Sequence, residues 1–346
     1  MRNPNKWIWL PVSLMIFSMP VMARYYQATQ GSMAVADRAG GTVSVIDVKT
    51  DTVKHTIRLP KADDEATPEP MYVVYKKNLL YVGDRANNQV LVFDSHAYQL
   101  IKKIPVGRGV FHMWASKYAE LLLVVNDVDN SISVIDTNNL TVKTTVAIPQ
   151  DLVNAGFKPH DVFISANGRQ WFVSLLGNTD QGWILKYQYW WGRAYQTARR
   201  QVGGDPHLFL VKRDRSLLVA SQDEGTVTEL STRHLGMRRQ ANVPNAHGIF
   251  AHYNRVYVTD IADGGTNGLY TLNRRHLRSR FTNDTPQPTP HNISVTRNGK
   301  KLYITHSGAS QDKVSVFDTH APWRQPNLKT TVTVGTNPFG LAYVPH

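Results

Sequence analysis

From Met33 onward the chain alternates apolar and polar positions in short runs, such as Val43-Ser44-Val45-Ile46-Asp47 and Ser131-Ile132-Ser133-Val134-Ile135-Asp136. A period of two residues marks a strand with one face in a core. Tight polar turns such as Asn167-Gly168 and Asn298-Gly299 separate the runs, and no segment carries a convincing helical period. The runs also repeat as a set. Lys158-Pro159-His160-Asp161-Val162, followed by Trp171-Phe172-Val173-Ser174, says the same thing as Thr289-Pro290-His291-Asn292-Ile293, followed by Leu302-Tyr303-Ile304-Thr305. Matching openings stand at Glu69-Pro70-Met71, Val110-Phe111-His112, Asp205-Pro206-His207, Asn245-Ala246-His247 and Asn337-Pro338-Phe339, which makes seven repeats.

Each complete repeat supplies four strands, and one such sheet cannot bury both faces alone, so it must stack on its neighbours. The pattern predicts an all-β chain, a seven-bladed β-propeller of four-stranded blades spanning residues 24–346. The first repeat, Met33 to Leu59, holds only three strands, while Pro338 to Val344 is a lone opening strand at the other end. Pairing the two completes a blade and closes the ring, which removes the free edges an open array would leave.

The runs Leu302-Tyr303-Ile304-Thr305 and Val256-Tyr257-Val258-Thr259-Asp260, with the Val-Ser-Val-Ile-Asp runs, make the chain resemble the YVTN-repeat propellers of the YncE-like kind along its whole mature length. The resemblance implies the fold. It leaves the activity open, since this family holds binding and surface proteins and its fold relatives include lactonases and redox propellers.

The first 23 residues differ in kind. Arg2 and Lys6 form a basic start, Trp7 to Phe17 is uncharged and apolar, and Val21-Met22-Ala23 supplies small residues for cleavage. This is the pattern of a signal peptide over 1–23, and it predicts a periplasmic or secreted protein. The apolar run is about half of the roughly 20 residues that cross a bilayer. The chain has no cysteine, which excludes lipoprotein acylation, disulfides and thiolate ligands; histidine, methionine and carboxylate remain for any soft or borderline metal.

Five of the 13 histidines, His112, His160, His207, His247 and His291, open repeats, with Met71 and Phe339 in the other two. The first strand of a blade is innermost, so these side chains are expected around one mouth of the central channel. Asp37, Asp84, Asp127, Asp260 and His306 close second strands and are expected one layer out. Imidazoles backed by carboxylates are the usual surroundings of a metal, and the ring with Met71 predicts copper or zinc. The plain alternative is that each histidine bonds a neighbouring backbone and each Asp caps its turn. A histidine cluster also suits a pH-sensitive or anion-binding mouth.

The net charge is +13, and between residues 183 and 281 basic residues outnumber acidic ones 15 to 7, with Arg199-Arg200, Arg238-Arg239 and Arg274-Arg275 prominent. Charged outer edges that discourage strand pairing are the leading account of this; an anionic partner such as lipid headgroups, surface glycans or nucleic acid is the alternative, nucleic acid being the least convenient for an exported protein. Trp183, Tyr187, Tyr189, Trp190 and Trp191 read as blade packing. No nucleophile elbow, phosphate loop, dinucleotide fingerprint or haem-attachment motif is present. The leading expectation is therefore a binding or scaffold propeller that holds a metal at the histidine ring. The runners-up are a lactonase-like hydrolase or oxidoreductase acting at the same mouth, and a surface protein that meets a protein or an anionic partner through the basic flank of blades four to six.

Overall fold

The computed structural model of the protein describes residues 30–345, apart from 212–214, 263–264 and 322; the expected signal peptide at 1–23 lies outside them. Seven four-stranded antiparallel sheets form a ring. Blade one joins β28 (Pro338–Val344) to β1 (Ser32–Asp37), β2 (Thr42–Asp47) and β3 (Thr52–Arg58), so the two chain ends share one sheet as the incomplete repeats require. Blades two and three are β4–β7 (Leu100–Pro105 the last), opened by β4 (Pro70–Lys76), and β8–β11, opened by β8 (Val110–Ala115). Blades four to seven are opened by β12 (Lys158–Ile164), β16 (Pro206–Val211), β20 (Ala246–His252) and β24 (Pro290–Val295). The single helix among the described residues, α1 (Gln150–Asn154), sits in the link between blades three and four.

Second and third strands are buried almost throughout, whereas fourth strands alternate or are exposed. The core therefore lies between blades, in clusters that join neighbours; one packs Leu123 and Val134 of blade three against Val162, Trp171 and Val173 of blade four. Each first strand touches the next around the ring, and β28 touches both β24 and β4, which closes it.

Charged ties lock the closing seam. Asp51, in the turn after β2, accepts hydrogen bonds from Lys301 Nζ at 2.7 Å, Lys329 Nζ at 2.6 Å and Tyr303 OH at 2.6 Å, so blade one is held to blade seven by a buried carboxylate. Between blades two and three, Lys76 Nζ donates to the carbonyls of Ser116 and Ala119, both at 2.8 Å.

Candidate functional site

The first strands do not open in the uniform register that the repeats suggest. In blade two Pro70 pairs with Asp84 and Val73 with Val82, so two residues, Met71 and Tyr72, stand opposite the single residue Gly83 in a bulge. The same two-residue bulge holds Phe111 and His112, His160 and Asp161, His247 and Gly248, His291 and Asn292, and Phe339 and Gly340. In blade five the pairing runs unbroken through Pro206, His207 and Leu208. His112 is thus the second bulge residue and Phe111 the structural match of His160, a correction to the single shared position expected from the sequence. A bulge adds one residue against its partner strand and re-aims side chains, so His112 leaves its strand at a different place from His160, His247 and His291. Where the second residue is glycine the strands crowd: a Cβ on Gly248 would sit 2.0 Å from the His291 carbonyl.

The five histidines do meet. Ring centroids lie 5.4 Å apart for His112 and His160, 4.7 Å for His160 and His207, 3.8 Å for His207 and His247, and 4.5 Å for His247 and His291, with Phe339 a further 4.1 Å on. Four of the five are buried, His160 being half-buried.

Part of this cluster is a belt across the tunnel. Asn292 Nδ2 donates to Tyr72 OH at 3.0 Å, Tyr72 OH lies 2.6 Å from His112 Nε2, and His112 Nδ1 lies 2.9 Å from Asp161 Oδ1. Asp161 Oδ2 accepts from the Leu208 amide at 2.8 Å. The carboxylate can only accept, so His112 carries its proton on Nδ1 and accepts a hydrogen bond from the tyrosine O–H at Nε2. Burial lowers the His112 pKa to about 4 even though Asp161 pulls the other way, and the ring stays neutral. Burial opposes the charge on Asp161, but His112, His207 and the Leu208 amide outweigh it and hold the carboxyl below its usual range. Both nitrogens of His112 are committed, and His291 Nδ1 is engaged by Asn292 Nδ2 at 2.7 Å.

The other part has atoms to spare. Asp205 precedes β16 in the left-handed backbone region, φ 44°, a conformation that Asp tolerates better than most residues, and this turns its carboxylate over the tunnel. Its Oδ1 lies 3.1 Å from His160 Nε2 and 3.5 Å from His207 Nε2, and the two nitrogens are 3.3 Å apart. Asp205 Oδ1 is buried without a well-aligned hydrogen bond. His247 places Nδ1 2.8 Å from Gln222 Oε1, an acceptor, so its proton sits there and Nε2 presents a lone pair; that Nε2 is buried and has no hydrogen-bond partner among the described residues. Burial first, then His207 and His291, push the His247 pKa well down and keep the ring neutral. Burial works against Asp205, yet His160 and His207 overcome it and hold its carboxyl far below the usual range. The ligand atoms of Asp205, His207 and His247 all lie within 4.8 Å of one another, as do those of His112, His160 and His207.

The remaining residues expected at the site lie elsewhere. Met71 is fully buried in the core with Tyr81, Val90 and Val110. Asp84 accepts from the Glu69 amide at 2.9 Å and from Asn87 and Gln89 side chains. Asp127 pairs with Arg85 at 3.0 Å, and Asn126, one residue earlier, is the true end of its strand, meeting the hydroxyls of Ser131 and Ser133. Asp260 takes the Asn245 side chain at 2.9 Å. His306 meets the Pro288 carbonyl through Nδ1 at 2.9 Å and Ser315 Oγ through Nε2 at 2.7 Å. These second-strand ends stitch turns and third strands together, as Asp37 does with Thr42 and Ser44.

Asp205 is the residue that sequence reasoning passed over. Its signal was an acid two residues before a histidine in Asp205-Pro206-His207, where the other openings with histidine at that place begin with Lys158, Asn245 or Thr289. Around it, exposed Asp180, Asp223 and Glu224 add negative charge; the Asp223 pKa is raised by partial burial and by Asp205 and Asp180. A Cβ on Gly204 would lie 2.2 Å from Asp223 Oδ2, so glycine there lets the two loops close.

On the far side of the belt the tunnel widens into a cavity of about 550 Å³ with apolar walls from Val73, Met113, Leu208, Ile249, Ile293 and Leu341. His207 and His247 reach it from their end, and Lys77, Lys117 and Arg297 line it at the other. The outer arginines are largely neutralised within the chain: Arg238, Arg239 and Arg274 surround Glu229 at 3.6, 3.1 and 3.5 Å, and Arg199 pairs with Asp151. Of the aromatic run in blade four, Tyr187 is buried and Tyr189 stacks on Trp171, but Trp191 is 98% exposed.

No family model matches the chain, and no curated protein matches it in sequence. Solved structures do share its fold. The periplasmic gluconolactonase of Pseudomonas aeruginosa superposes with a TM-score of 0.69 at 17% identity, covering 91% of this chain and 99% of that one. A 6-phosphogluconolactonase candidate from Bacteroides uniformis gives 0.69 at 16%, covering 91% and 100%, and a protein from Lactobacillus plantarum gives 0.72 at 13%, covering 91% and 99%. At such identities the likeness shows the fold alone.

Proposed function

We propose that the protein is an exported metal-binding propeller that holds one zinc ion through His160, His207 and Asp205, with His247 closing the site. The observation that carries this reading is the triangle of Asp205 Oδ1, His160 Nε2 and His207 Nε2, with edges of 3.1, 3.3 and 3.5 Å. A tetrahedral zinc with bonds of about 2.0–2.1 Å separates its ligand atoms by roughly 3.3 Å. Two imidazole nitrogens facing each other across a carboxylate oxygen need a cation or shared protons between them. A nitrogen-and-oxygen set without thioether suits zinc better than copper(I), which prefers soft ligands. Gln222 behind His247 supplies the outer hydrogen bond that fixes the tautomer of a metal-bound histidine.

The test is titration calorimetry of the metal-stripped protein with zinc. One ion per chain is expected, with affinity lost in His160→Ala and Asp205→Ala and kept in His291→Ala, whose Nδ1 is already engaged. Equal binding by all four proteins contradicts the reading.

A second reading is a zinc-dependent hydrolase of lactones, in which His247 stays off the metal and water takes the fourth position. It is favoured by the partial exposure of the His160 and Asp205 side chains, 12% and 18%, on the open side, and a gluconolactonase is built on the same fold. Lactone hydrolysis that disappears on chelation and returns with zinc supports it; a zinc-loaded protein inert on γ- and δ-lactones rejects it.

A further inference from the structure

In an antiparallel blade the turns between strands one and two and between strands three and four emerge at the same end, opposite the mouth that carries Asp205. All six exposed aromatic side chains among the described residues belong to this end: Tyr118 and Tyr253 in first turns, Trp190, Trp191, Tyr195 and Trp323 in or beside second turns. Trp191 is 98% exposed, Tyr253 80% and Tyr118 69%. Leaving such surface in water is unfavourable, and an aromatic ring with a polar edge is most at home at a membrane interface.

Cations share these turns. Exposed Lys117, Arg169, Arg193, Arg215, Arg275 and Arg297 form no ion pair among the described residues. Two stand over exposed rings, Arg169 4.7 Å from the Trp190 centroid and Lys117 4.9 Å from that of Tyr118. The acids at this end are occupied among the described residues: Asp94 and Asp136 accept backbone amides of their own turns, and Glu120 takes Lys77 at 2.6 Å. Asp47 and Asp318 do likewise in blades one and seven, so the free positive charge is concentrated from the tunnel rim across blades four to six.

We infer that this face docks on an anionic lipid surface, its aromatic side chains entering the headgroup layer while the lysines and arginines meet lipid phosphates. The rings favour a bilayer over a soluble polyanion, because Trp191 and Tyr253 project from turns of different blades, an arrangement that suits insertion into a headgroup layer, whereas single-strand polyanions are gripped by rings lining one charged groove. The inference does not depend on the metal, whose ligands lie at the other end.

Vesicle flotation tests it, with phosphatidylcholine alone or with about one-quarter phosphatidylglycerol, at low and high salt. The protein is expected to float with the anionic vesicles only, to release at high salt, and to show a blue shift in tryptophan emission on binding. Trp191→Ala with Tyr253→Ala should lower the partition at least tenfold, and Lys117→Gln or Arg297→Gln roughly fivefold each. The substituted side chains are exposed, so the variants should fold; circular dichroism checks this. Failure to float, flotation insensitive to the aromatic substitutions, or binding to a sulfated polysaccharide without binding to vesicles would overturn the inference.

Discussion

At the scale of single residues the chain separates histidines that hold the structure from those that can hold a ligand, and the difference is what occupies each nitrogen. His306 belongs to the first kind. It is wholly buried, with both nitrogens bonded, and burial depresses its pKa from 6.5 to about 4 despite the Pro288 and Gln287 carbonyls. Because the folded value is the lower, the neutral ring contributes stability that is complete above pH 6.5 and is lost as pH falls through 4. The loss is on the order of 3 kcal/mol. Urea midpoints measured across this window should fall less steeply for His306→Gln than for the parent protein, and parallel curves would contradict the assignment. His247 is of the second kind, with one nitrogen fixed by Gln222 and the other turned inward and unused. Sequence alone could not sort the two, since both stand beside strand ends in the same repeat grammar.

At the scale of elements, the strands and their grouping into blades were legible because a core between stacked sheets imposes the period of two wherever it is built. The first-strand bulges were not. An inserted residue leaves the local pattern almost unchanged, yet it moves His112 out of the position that Phe111 takes, and the same blindness placed Asp127 where Asn126 ends its strand. Ties between blades were equally hidden, because Asp51 and Lys301 are 250 residues apart and meet only when the ring shuts. That pair tests how much the seam matters. Asp51→Asn leaves the Lys301 ammonium buried without its counter-charge and should cost about 3 kcal/mol or more. Adding Lys301→Met should recover a substantial part of the loss, and denaturation of both variants measures it. A single substitution costing under about 0.5 kcal/mol would mean that the ring closes without this contact.

For the molecule as a whole, the ring gives each end its own chemistry. One end gathers Asp180, Asp205, Asp223 and Glu224 beside the histidines, and the other carries the aromatic and basic turns around an apolar tunnel. A cation is drawn to the first and an anionic surface to the second. The large net charge thus conceals a local reversal of sign, which explains why composition pointed to anionic partners while the histidines pointed to a metal. X-ray absorption at the zinc edge, on protein loaded with one equivalent, decides whether the histidine mouth is a metal centre. A four-coordinate shell of three imidazole nitrogens and one carboxylate oxygen at about 2.0 Å is expected, with an imidazole missing in His247→Ala. A sulfur neighbour, or a six-oxygen shell that the substitution leaves unchanged, would contradict it.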